Sequence, residues 1–99
     1  MGYARPKPER LAEKLLAIRM ALDVSQTELH HRLGVEHLID YTRISTYERG
    51  RNEPPLMILL EYARLANVYV DVLIDDALDL PDKLPSPAKS EGVRSRKRR

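Results

Sequence analysis

The sequence predicts an all-α fold of five short helices in one small domain, and three observations carry that prediction. Leu11, Leu15, Ile18 and Leu22 recur at spacings of four, three and four, which places them on one face of a helix. Ser25 and Glu28 form an S-x-x-E capping box ahead of Leu29, the signature of a helix start. The pair Pro54-Pro55 opens onto a leucine-rich stretch, as at a helix entrance where missing amide donors cost nothing. With 99 residues, 42% of them hydrophobic, the chain can fill one core and not two.

Each element follows in order. Residues 1–8, with two prolines and no periodicity, read as a flexible arm. The first helix is expected over about 9–22. The second starts at the Ser25 cap, with Val24 stapled onto Leu29, and stops at Gly34, the residue best able to take the left-handed stop conformation. For the third, Asp40 is a good N-cap with Ile39 and Ile44 as its hydrophobic staple. That gives a helix over 41–49, ended by Gly50, and leaves Val35 to Ile39 as an unusually long turn. A helix beginning near Glu36 is the alternative. The fourth carries Leu56, Leu59, Leu60, Ala63 and Ala66 on one stripe, with Asn67 as its stop. A short fifth lies within Val68 to Leu78. The domain is thus 9–80, and residues 81–99, proline-rich and then basic with almost nothing to bury, read as a disordered tail.

Composition excludes several classes. There is no cysteine, hence neither a disulfide framework nor a cysteine-based zinc site. The longest apolar runs, four to six residues, fall far short of the roughly 20 needed to span a bilayer. Pro6 stands where a myristoylation signal wants Ser or Thr. A cytoplasmic protein without membrane contact is expected. Charge is segregated: residues 1–52 carry +2, residues 53–82 carry −6 and residues 83–99 carry +6. A surface for phosphate therefore belongs on the N-terminal half, with the acidic third turned away from it.

Five short helices with the second and third joined at a turn form the layout in which the later helix of the pair enters the major groove of DNA. Specific residues strengthen that reading: L-x-x-x-L-x-x-I-R from Leu11 to Arg19, V-S-Q-x-E-L from Val24 to Leu29, L-G-V from Leu33 to Val35, and I-S-x-Y-E-R-G-R-x-E-P from Ile44 to Pro54. This ordered set resembles the lambda-repressor-like family, also called the Cro/repressor or XRE type, over about residues 11–76. The resemblance implies sequence-specific binding of double-stranded DNA by a transcriptional regulator, usually a dimer on paired half-sites. It places Tyr41, Thr42 and Thr46 toward base edges, with Arg43 beside them. Arginine is the best single reader of guanine, and threonine offers a hydroxyl and a methyl that suit thymine. Gln26, Ser45, Arg49, Arg51 and Asn52 fall where the family meets phosphates, contacts that set register without reading sequence.

Two departures stand out. Nine residues separate Gly34 from Ile44, where the family usually has five. His30 occupies a position where the family prefers Ala, because the two helices cross closely there. Together they point to a more open helix pair, and they leave Thr46 on a firmer frame than Tyr41, Thr42 and Arg43.

Plainer readings stand beside these. Polar residues on the third helix suit any solvent-facing helix, capping alone accounts for Ser25 and Glu28, and Arg49 suits the negative end of a helix. His30, His31 and His37 lack the spacing and companions of a metal site. Glu48 and Glu53 have no nucleophile or phosphate loop beside them, so no metal, cofactor or enzymatic activity is expected. Met57, Ile58, Tyr62, Leu65 and Tyr69 form an apolar surplus, read as a homodimer interface; the alternative is that the C-terminal segment covers it. Residues 93–99 carry +5 and would strengthen binding to any DNA. The rival function keeps the fold and makes it a protein-interaction module, such as an antitoxin that grips a partner.

Overall fold

The computed structural model describes residues 7–84 and the strand 93–94. Five helices follow one another: α1 (Leu11–Leu22), α2 (Gln26–Leu33), α3 (Thr42–Glu48), α4 (Leu56–Ala66) and α5 (Val70–Ile74). α1 packs on α3 and α5, α2 on α3 and α4, and α4 on α5, so α3 leans on both earlier helices. The core they share includes Leu15, Ile18, Leu29, Leu33, Val35, Ile44, Tyr47, Leu59, Ala63 and Leu73.

Local chemistry explains most boundaries. Ser25 Oγ accepts the amide of Glu28 at 3.0 Å, and Gly34 ends α2 at φ 71°. α1 and α4 end on the left-handed residues Asp23 and Asn67, conformations that short polar side chains tolerate better than most. α3 begins at Thr42, one residue later than expected: Tyr41 already has helical backbone angles, but the entry turn is tighter than α-helical, with Arg43 and Ile44 donating to the Asp40 and Tyr41 carbonyls three residues back, and Asp40 does the capping. The Asp40 carboxylate accepts both the amide and the hydroxyl of Thr42. The alternative of a helix from Glu36 is not what forms: Leu38 and Ile39 both donate to the Val35 carbonyl, closing one separate turn ahead of Asp40.

Three expectations need correction. Pro55 is the N-cap of α4 and lies before its first turn. On α4 the buried face is Ile58, Leu59, Tyr62, Ala63 and Ala66, whereas Leu56 is 81% exposed. The inward stripe is therefore rotated from the one expected. α5 falls within the expected stretch, but Leu78–Asp79 forms β1, which pairs antiparallel with β2, Val93–Arg94. That pairing holds Val93–Arg94, from the segment 81–99, against Leu78–Asp79 of the domain, where composition predicted no ordered contact. The arm at 1–8 and the tail at 81–99 otherwise lie outside the described residues, apart from 7–8 and 81–84. Among the described residues no helix is long and apolar enough to cross a membrane.

Polar contacts tie the ends of the domain together. Lys14, on the inner face of α1 and buried, donates to the carbonyls of Val72 and Asp75 at 2.7 and 2.9 Å. It caps the C-terminus of α5, where a cation is favoured. Desolvation, and then the nearby Arg10, lower its pKa. Asp76 returns the favour for α1: its carboxylate accepts the amides of Glu9 and Arg10 at 2.9 and 3.0 Å. Arg10 adds an ion pair to Asp79 at 2.7 Å.

Candidate nucleic-acid interface

The orientation of α3 is fixed from its inner side. Ile44 and Tyr47 are buried, and Glu48, one turn after Ile44, is held inward by two donors. Its carboxylate accepts Arg19 Nε at 2.7 Å and Gln26 Nε2 at 3.0 Å. Arg19 also donates to the Val24 carbonyl at 3.0 Å, so one carboxylate links α1, the entry to α2 and the end of α3. The Arg19 pKa is raised, chiefly by its bond to Glu48 against the opposing effect of burial. The Glu48 side chain keeps 5% of its exposure, which makes this a bracket of the interior.

With that side anchored, the other side of α3 must face out. Tyr41, Thr42 and Arg43 are exposed, and Thr46 and Ser45 are half-buried. Thr42 and Thr46, four residues apart, share the outward ridge with Arg49 beyond them. The Thr46 hydroxyl donates to the Arg43 carbonyl at 2.8 Å, and the Thr42 hydroxyl donates to Asp40. Each threonine therefore presents a methyl and an oxygen lone pair. That suits a thymine methyl or the amino group of adenine or cytosine. Arg43, Arg49 and Arg51 are exposed, and among the described residues none is ion-paired. Arg43 and Asn52 line one shallow groove with Leu38, Ile39, Asp40, Tyr47, Glu53 and Pro55.

Several expected site residues sit differently. Gln26, read as a phosphate contact, has its amide on Glu48, so its first role is to brace α3. Of the five residues assigned to a dimer interface, Ile58 is 2% and Tyr62 0% exposed, and both belong to the core. Leu65 is half-buried against the same core. Only Met57 and Tyr69 are exposed, joined by Leu56. Ile58 and Tyr62, counted in the apolar surplus, lie on the face that α4 turns inward. Arg19 and Glu48 were not among the expected site residues, although the spacing of Glu48 from Ile44 puts it on the inner face of α3.

The long lead-in to α3 is a built element. The turn at 35–39 is anchored at one end by buried Val35 and at the other by Ile39, which packs against the core. His30 Nε2 lies 2.7 Å from the Ile39 carbonyl, and because a carbonyl only accepts, that nitrogen carries the proton. His31 Nδ1 meets Glu36 at 3.2 Å. Among the described residues no group of three or more His, Cys, Asp or Glu is placed to hold a metal ion.

A family model described as helix-turn-helix matches residues 15–73. Comparison with curated proteins and comparison with solved structures gave no match. The match begins inside α1, runs through the α2–α3 pair and ends in α5, and so spans the bracket, the outward face of α3 and the basic turn behind it. The chain belongs to the helix-turn-helix family of lambda-repressor-like, XRE type, the fold of DNA-binding transcription regulators.

Proposed function

We propose that this domain binds double-stranded DNA with sequence preference and regulates transcription from the cytoplasm, at the nucleoid, by occupying an operator. The observation that carries the reading is the outward side of α3: Tyr41, Thr42, Arg43 and Thr46 stand free of the core. Arg49, Arg51 and Asn52 follow at its C-terminal end. The first set reads base edges, and the second set, with Ser45, clamps phosphates. Gln26 joins the second set only through an amide proton that Glu48 does not take.

The regulator acts as a homodimer on a palindromic site, with repression by occupancy as its output. Two copies would set their α3 helices about 34 Å apart, one turn of DNA. The exposed Leu56, Met57 and Tyr69 supply the apolar surface for pairing. The basic residues of 93–99 add affinity without preference. A second reading, a protein-interaction module of antitoxin type, is favoured by the exposed Leu38, Leu56 and Met57, which also suit a different protein.

The test is selection of bound duplexes from a random pool at about 150 mM salt, with the full chain and with a variant lacking 86–99. The proposal expects one palindromic motif from both, with weaker binding by the shorter protein. A motif from neither moves the protein-interaction reading ahead. Binding that vanishes with the tail and shows no motif identifies a non-specific binder.

A further inference from the structure

The turn at 35–39 and His30 are in contact, and the contact lies at one end of α3. Ile39 immediately precedes Asp40, which caps α3 through Thr42. The Ile39 carbonyl is held by a side chain of α2, at 2.7 Å. The chain from Ile39 to Thr42 is short, and the Asp40 and Tyr41 carbonyls accept the amides of Arg43 and Ile44, so the position of the Ile39 carbonyl fixes where α3 begins. At its other end α3 is fixed separately, by Glu48 against Arg19 and Gln26. The helix is thus suspended between two polar anchors. One lies at the interior end, beneath Ser45 and Arg49; the other lies at the entry, beneath Tyr41, Thr42 and Arg43.

The charges around the entry anchor reinforce it. Asp40 has its pKa lowered by the Thr42 hydroxyl first, then by the Thr42 amide, with His30 and Arg43 contributing favourably. His31 and Glu36 make an exposed pair across the turn, of the kind worth little by itself. The attachments on the core side are buried Val35, half-buried Ile39 and the partly buried His30 bond.

We propose that His30 is a specificity-determining positioning residue: through the Ile39 carbonyl it sets the tilt of the first turn of α3, and so decides which base pairs Tyr41, Thr42 and Arg43 reach, without touching DNA itself. The inference rests on the DNA-binding reading above. Loss of the His30 bond lets the entry end of α3 move while Glu48 holds the exit end. Discrimination therefore falls at the base pairs beneath Tyr41, Thr42 and Arg43 and stays at the pair beneath Thr46.

The experiment selects duplexes with the wild type, His30→Ala, His30→Gln, a deletion of 36–39, and that deletion combined with His30→Ala, and records thermal unfolding of each. His30→Ala is expected to lose about tenfold in preference at the entry-end positions, the scale of one good base contact, with the Thr46 position unchanged. His30→Gln keeps an amide donor for Ile39 and restores most of the wild-type motif, which a purely steric role for the ring would not allow. The deletion alone leaves His30 without its acceptor and binds poorly, and adding His30→Ala restores binding with an altered motif. If His30→Ala does not fold, His30→Gln and the double variant carry the comparison. A wild type that selects a motif and a His30→Ala protein that selects the same one overturn the inference alone. A wild type that selects no motif overturns the DNA-binding reading itself.

Discussion

At Glu48 two donors from different helices converge on one nearly buried carboxylate. Removing an ion-pair partner leaves the other charge without compensation, which costs more than the pair itself contributes. Glu48→Ala is therefore expected to destabilise by about 3 kcal/mol, measured as a lower urea midpoint at unchanged m. Arg19→Met with Glu48→Met is expected to lose less than the single change, because both charges leave together. Tyr62 is the opposite case. Its hydroxyl is buried with no hydrogen-bond partner among the described residues, so Tyr62→Phe keeps the ring and removes an unpaired polar atom. The change is expected to be neutral or to stabilise by up to about 1 kcal/mol. Desolvation first, then Glu48, pushes the Tyr62 phenol above its usual range. The folded state thus holds this proton more tightly than the unfolded chain does. The contribution is complete below about pH 10 and is lost as pH rises further. Alkaline unfolding of the wild type, reduced in Tyr62→Phe, is the check.

Among the elements, α1 depends on a cap that arrives from far along the chain. Asp76→Ala strips the acceptor from the Glu9 and Arg10 amides and is expected to cost about 1 kcal/mol, as for other lost N-caps. Burial opposes the charged Asp76, but the two backbone donors prevail and its pKa is lowered. The contribution is therefore present above about pH 4 and fades as pH falls through the folded value. An acid titration of wild type against Asp76→Ala should show the difference between them closing. This cap was invisible to sequence reading because the partners lie more than sixty positions apart, and no local pattern joins them. The α2 start was legible because Ser25 and Glu28 act within one turn, and Gly34 likewise. α3 was nearly so, with Asp40 capping as expected and the boundary moving only to Thr42. The face of α4 was not legible: with Leu56, Met57, Ile58, Leu59 and Leu60 consecutive, apolar spacing cannot choose a side, and the packing of Ile58 and Tyr62 decided it.

For the whole molecule, the outward side of α3 followed from its motif residues, while the long turn ahead of it needed the His30 contact to be understood. The homodimer proposal now rests on fewer residues than the sequence suggested. Met57→Lys should leave thermal stability within about 0.5 kcal/mol, as for other exposed changes, and shift sedimentation from dimer toward monomer. Retention of the dimer would direct pairing elsewhere. Arg49→Ala and Arg51→Ala should weaken binding to all sequences alike and lower the salt slope by about one each.

The most direct test of α3 as the reading element is a base-by-base binding profile of wild type against Thr46→Ala and Arg43→Ala, at fixed salt and with unfolding midpoints recorded. Each substitution is expected to relax preference at one position per half-site, by about 1–3 kcal/mol for a true base contact, and to leave the other positions as they were. A uniform loss across all positions, or an unchanged profile in both variants, would contradict that role for α3.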